Sequence, residues 1–240
     1  DAFSIRCFSG DGELENIYVQ NLTLQWGVDE NMQIFPSTVS NCTATDITVD
    51  LVLNGPSLHR SKHPSGNPHG KGLIIGSNGL ANMPKRISIL RNIFAHNDER
   101  NPRWSTGDQL AVLNNLMYLN LAMTNAKVSE IGTGSDFTVP AQLLDYAGNH
   151  FKLGSSASGI QYMLRSGTGP PTGSQIYFAN NQCAAGTSWS NCVNNINQST
   201  FSSATRVAND GYTIETDIAT NDAYLLAYAG SRPAERDSYD

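Results

Sequence analysis

Charged side chains are scarce in this chain, at 15% of 240 residues, and no long apolar run occurs. A helical bundle or coiled coil draws heavily on Ala, Glu, Lys and Leu. Low charge with abundant Gly, Asn, Ser and Thr instead suits many short strands joined by turns. No apolar stretch approaches the roughly 20 residues that cross a bilayer as a helix, and none reads as a signal peptide. The four cysteines, Cys7, Cys42, Cys183 and Cys192, contain no C-x-x-C pair, so the usual zinc-site spacing is missing. Cys183 and Cys192 bracket the polar loop "CAAGTSWSNC" and are expected to close a local disulfide in an oxidising compartment. Cys7 and Cys42 read as free buried thiols, since reduced cysteine is commonly buried. The sequons at Asn21 and Asn41 lie beside strand-like runs and decide nothing.

Positive charge is also in deficit, with 15 Lys and Arg against 21 Asp and Glu and a net charge of −6, which excludes nonspecific nucleic-acid binding. Its distribution is uneven. Residues 58–103 hold Arg60, Lys62, Lys71, Lys85, Arg86, Arg91, Arg100 and Arg103 but only two acids, Asp98 and Glu99, and four of the five histidines. A cationic patch on an otherwise acidic protein is expected there, suited to a polyanion. Its densest part is "HNDERNPRW" (96–104), where two arginines flank an Asn-Pro pair. The stretch reads either as a solvated turn or as a rigid one that aims guanidinium groups at carboxylates.

What is present in quantity is repetition. "ISILRNIFAHN" (87–97) and "LAVLNNLMYLN" (110–120) superimpose at an offset of 23, with Asn92 opposite Asn115 and Asn97 opposite Asn120. "NIYVQNLTLQW" (16–26) and "DITVDLVLNG" (46–55) resemble both. Short β-rich segments at a period in the twenties mark a solenoid. The expected fold is therefore all-β: one domain over residues 1–240, a right-handed parallel β-helix with long loops. Asparagine at a repeated turn position suits side-chain amides stacked along the axis. A β-sandwich is the alternative. Residues 137–153 read as an irregular interruption, and 166–205 as long loops. Residues 217–240 read as a short terminal helix and tail, capped at Asn221 or Asp222, with Ala223, Leu226 and Ala227 on its apolar face.

"WGVDEN" (26–31), "PHGKGLIIGS" (68–77), "ISILRNIFAHNDERNPR" (87–103) and "AYAGSRPAERD" (227–237) resemble, in that order, stretches of the pectate lyase family, which has the parallel β-helix fold. The resemblance implies a secreted polysaccharide lyase whose N-terminal coils are missing from this chain. It implies β-elimination on polygalacturonate or another uronan, assisted by Ca²⁺, with neither nucleic acid nor membrane as partner. By motif, Arg100 falls at the catalytic base, Lys71 and Arg103 at substrate-binding positions, and Asp1, Asp29 and Glu30 at the metal ligands. Gln33 stands where the family has a further acid, and Ser105 where it has a further arginine. Each residue also has a plainer reading. Arg100 and Arg103 suit a structural pair bonding Asp98 or Glu99, Lys71 an exposed lysine, and Asp29 with Glu30 a solvated turn. His96 suits a satisfied strand histidine, and Trp26 and Trp104 suit either sugar stacking or core packing. A binding module without catalysis, or a spike-type host-recognition protein, uses the same architecture.

Overall fold

Alternating apolar and polar residues become short strands that all pair in parallel. The computed structural model describes residues 1–7, 12–36, 42–59, 63–64, 69–119, 128–132, 139–154, 162–208 and 211–231. Three sheets result. The chain visits them in rotation: Phe3–Ile5 belongs to the first, Glu13–Gln20 to the second, Thr23–Leu24 to the third, and Glu30–Ile34 returns to the first. Each strand then lies beside its counterpart from the turn before. The first sheet gains Lys71–Ile75, Arg103–Trp104, Ser129–Ile131, Leu164–Ser166 and Val193–Asn194 in that order.

The expected offset of 23 is realised as register: Ile87 pairs with Leu110 and Ile89 with Val112 in the second sheet, and Ile93 with Leu116 in the third. The two segments are adjacent and parallel. Side chains alternate across a strand, so every second residue stacks inward on its neighbour. Ile47, Ile87, Leu110, Leu144 and Ile176 make one such column, and Val49, Ile89, Val112 and Tyr146 the next. Met32, Leu73, Ile34, Ile75, Trp104 and Ile131 meet them from the first sheet. Trp104 is fully buried and stacks on Tyr146, which settles its role as core; Trp26 is 46% exposed.

The corner between the second and third sheets explains the repeated asparagines. Asn21, Leu51, Arg91, Asn114, Gly148 and Asn180 occupy it with positive φ, a conformation that Gly and Asn adopt most readily. The residue that follows the last four is asparagine. Asn115 Oδ1 accepts from Asn92 N and Nδ2 at 2.8 and 3.1 Å, Asn149 from Asn115, and Asn181 from Asn149. Each Nδ2 also donates to a strand carbonyl of the preceding turn: Val49, Ile89, Val112 and Tyr146. Backbone groups that a sharp corner would orphan are thereby satisfied. Asn97 joins a second buried cluster with Asn31, Asn54 and Asn101. Asn120 and Asn41 lie outside the described residues.

Several expectations need correction. Of residues 137–153, 137 and 138 lie outside the described residues and the rest are no interruption: Leu143–Ala147 and His150–Leu153 form a regular turn, with Asn149 in the ladder. Within 166–205, Gln175–Ala179, Val193–Asn194 and Ser202–Ser203 are strands, because Ile176 and Phe178 continue the apolar columns. Cys7 and Cys42 are not free thiols but a disulfide, Cα atoms 6.1 Å apart, since strand stacking brings them together across 35 positions. Cys183 and Cys192 pair as expected. The helix is Ile218–Tyr228, capped by Asp217, whose carboxylate accepts from Ala219 N and Thr220 N. Ala223, Leu226 and Ala227 face outward. Leu225 and Ala229 pack instead on Leu51, Leu53, Ile93 and Leu116, a stripe presented by three successive turns.

The C-terminal segment runs back along the stack. Arg206 Nε holds Asp145 at 2.7 Å, Asn114 bonds Thr213 O and Glu215 N, Gly230 N donates to Leu51 O, and Ser231 N to Thr23 Oγ1. Pro233 and the arginines of "SRPAER" lie outside the described residues. No helix among the described residues is long and apolar enough to cross a membrane.

Candidate functional site

The expected site residues all sit on or beside the first sheet. Register makes Glu30 the partner of Lys71, bridges Lys71 to Glu99, and aligns Arg103, Glu130 and Arg165 on consecutive strands. Acids and bases therefore alternate along the row. Lys71 Nζ pairs with Glu99 Oε1, Arg100 Nη1 with Glu30 Oε1, and Glu130 receives Arg103 at 3.4 Å and Arg165 at 2.9 Å. Away from this row, Arg86 holds Asp46 and Arg91 holds Asp50. The cationic patch expected from residues 58–103 is thus interleaved with acids from neighbouring turns. Sequence proximity concentrates the cations, and stacking distributes their counter-charges.

Glycines let this row close up. A Cβ on Gly72 would lie 2.6 Å from Arg100 O, and one on Gly70 would lie 2.5 Å from Ser57 Oγ. Lys71 stands between them on the strand. The turn 98–101 lies against that strand through Asp98 N to Gly70 O, Gly72 N to Glu99 O and Leu73 N to Arg100 O. Asp98 is buried, and its carboxylate holds Gly70 N at 3.0 Å and His59 Nδ1 at 2.6 Å. Burial pushes its pKa up, against the opposing pull of His59. Arg100 itself has φ +64° and precedes a cis Asn101–Pro102 bond.

Arg100 is the electrostatic anomaly. Its side chain is 16% exposed. Burial, and then the charge of Arg103, push its pKa down to about 10 from an ordinary value of 12.5. A guanidinium normally stays protonated under all biological conditions; here Asp29 and Glu130 oppose the downward shift, and the ion pair with Glu30 also favours the protonated form. Around it, Asp1, Asp29 and Glu30 bring one carboxylate oxygen each to within 4.8 Å of one another. Asp29 Oδ1 and Glu30 Oε1 are buried; His69 Nε2 lies 2.8 Å from the first, and Arg100 Nη1 pairs with the second. Converging oxygens of that kind suit a hard divalent cation, so the residues fit Ca²⁺. Gln33 does not join the trio as a fourth acid would. Its Nε2 donates to Asp1 Oδ2 and its Oε1 accepts from Arg6 at 2.9 Å, which orients Asp1.

His96 lies elsewhere, in the bend just past the strand Ile93–Ala95 and edge-on to Tyr118, with burial pushing its pKa down. Reading the sequence missed Glu130 and Arg165, which no motif signals. It also passed over His63 and His69, which lie against Asp29. His69 had a signal in "PHGKG", beside Lys71. No protein-family model and no curated protein matches the chain.

Proposed function

We propose that the chain is a lyase of the pectate lyase type, built as a right-handed parallel β-helix. It would cleave polygalacturonate or a related uronan by β-elimination outside the cell. The observation that carries this reading is the buried Arg100, paired with Glu30 beside the converging carboxylates of Asp1 and Asp29. In the reaction, Arg100 takes the C5 proton of a uronate, the C4–C5 double bond forms, and the C4–O glycosidic bond breaks. The departing oxygen collects its proton from solvent. Lys71 and Arg103 offset the uronate carboxylate and so acidify C5. Asp1, Asp29 and Glu30 would hold Ca²⁺, which supplies further charge neutralisation at that carboxylate. Arg100 returns its proton to solvent before the next cycle.

A second reading rests on Gln33 and Ser105, which stand where the resemblance expects a further acid and a further arginine: a module that binds an acidic polysaccharide without cutting it. Incubation with polygalacturonate and Ca²⁺, followed by ultraviolet absorbance of unsaturated uronates, separates the two. Rising absorbance that chelator abolishes supports the lyase. Retention on polygalacturonate without absorbance supports the binder and overturns the lyase.

A further inference from the structure

Asp29 has a second set of neighbours that the elimination reaction leaves unused. His69 Nε2 lies 2.8 Å from Asp29 Oδ1, and His63 Nε2 lies 3.5 Å from Oδ2. The two imidazoles are stacked face to face, centroids 3.8 Å apart and planes within 1°. Both rings thus present the same nitrogen to one carboxylate. The three ligand atoms fall within 4.8 Å of one another. A tetrahedral centre with arms of about 2.1 Å spaces its ligand atoms about 3.4 Å apart, so the two rings, now parallel, would splay apart for both Nε2 lone pairs to meet one ion.

The backbone holds two of the three in place. Lys71 N donates to Asp29 O at 3.0 Å, and Gly70 is clamped to Asp98 through both its N and its O, which fixes the chain after His69. Asp29 Oδ1 is buried without a hydrogen bond among the described residues, although His69 Nε2 is close, so the contact is off the line of a donor and an acceptor. Ligand chemistry then selects the ion. Calcium prefers an all-oxygen shell of six to eight, whereas two imidazole nitrogens and one carboxylate oxygen are a zinc set with a fourth position left open.

We propose that Asp29, His63 and His69 form a zinc site that shares Asp29 with the neighbouring acidic trio. The site stands independently of the lyase reading. Its regulatory corollary, that zinc withdraws Asp29 from calcium and slows elimination, rests on that reading.

The test uses the full chain without an affinity tag, stripped of metal and dialysed against Zn²⁺. One equivalent is expected to be retained. The His63→Gln/His69→Gln double variant, checked for folding by its melting curve, is expected to bind at least 100-fold more weakly. Wild-type protein loaded with Co²⁺ in place of zinc should show the intense visible bands of a four-coordinate site. No retained zinc, undiminished binding by the folded double variant, or a cobalt spectrum without those bands would overturn the site. Should the variant fail to fold, the cobalt spectrum of the wild type decides. Uronan cleavage is measured on the same samples. Cleavage without zinc binding sinks the zinc site alone, and zinc binding without cleavage sinks the lyase reading alone.

Discussion

Arg100 and Arg103 stand three residues apart but do different electrostatic work, and their variants should behave differently. Arg100 is paired with Glu30, whose side chain is only 5% exposed. Removing one member of a buried pair strands the other, at a cost of order 3 kcal/mol. Arg100→Ala should therefore abolish elimination and also lower the melting temperature. Arg100→Ala with Glu30→Gln should recover the stability and none of the activity, which melting and ultraviolet assays read side by side. Elimination undiminished in either variant removes Arg100 from the chemistry. The proton equilibrium gives a second test. If neutral Arg100 is the base, log kcat should rise by one per pH unit and flatten near pH 10. The Arg103 charge helps depress that value, so Arg103→Gln should raise it and move the plateau to higher pH. A plateau that stays or falls contradicts the coupling. Calcium demand follows from the same contacts. Glu30 is already offset by Arg100, so Asp29→Asn should raise the Ca²⁺ concentration for half-maximal activity more than Glu30→Gln does. The reverse order in a calcium titration would reassign the principal ligand.

Among the elements, the asparagine ladder makes the sharpest structural prediction. Asn115→Ala removes the acceptor for Asn92 N and the donor to Ile89 O, both buried. Each stranded buried polar group costs about 1–3 kcal/mol. Destabilisation of roughly 2–4 kcal/mol is expected by denaturant unfolding, and a value under 1 would mean the corner rearranges. This ladder also shows what was legible beforehand. Asn92 and Asn115 were visible because 23 residues separate both the strands and the corners. Asn149 and Asn181 were not, because they stand 34 and 32 residues from their predecessors in the ladder, and that spacing erases the period. Apolar alternation located the strands of residues 16–26, 46–55, 87–97 and 110–120. It failed at Gln175–Ala179, embedded in Ser, Gly and Thr. The helix was placed but its buried face was not, since Leu225 and Leu226 are equally apolar and only the stripe beneath them distinguishes the two. At the site, motifs reached the residues near 29, 71 and 100. Glu130 and Arg165 depend on register across strands, a relation with no local mark.

For the whole molecule, strands pair only with the turn before and the turn after. Stability in such a stack is close to a sum of nearest-neighbour terms, and nothing in the pairing alone prevents unravelling from either end. The returning C-terminal segment changes that. It fastens to Asp145, Asn114, Leu51 and Thr23, so one stretch of chain holds four different turns. Weakening this fastening with Arg206→Ala, which removes the side-chain hold on Asp145 but leaves those from Val207 N and Ala208 N, and Gly230→Pro, which removes the hold on Leu51, should convert one sharp thermal transition into a broad or stepped one. A transition as narrow as the wild type's would show that the sheets suffice. The strap thus behaves as a splint laid lengthwise on a pile of plates. A slip at one end should then load the plates at the other, so that the stacked sheets melt together as a globule does.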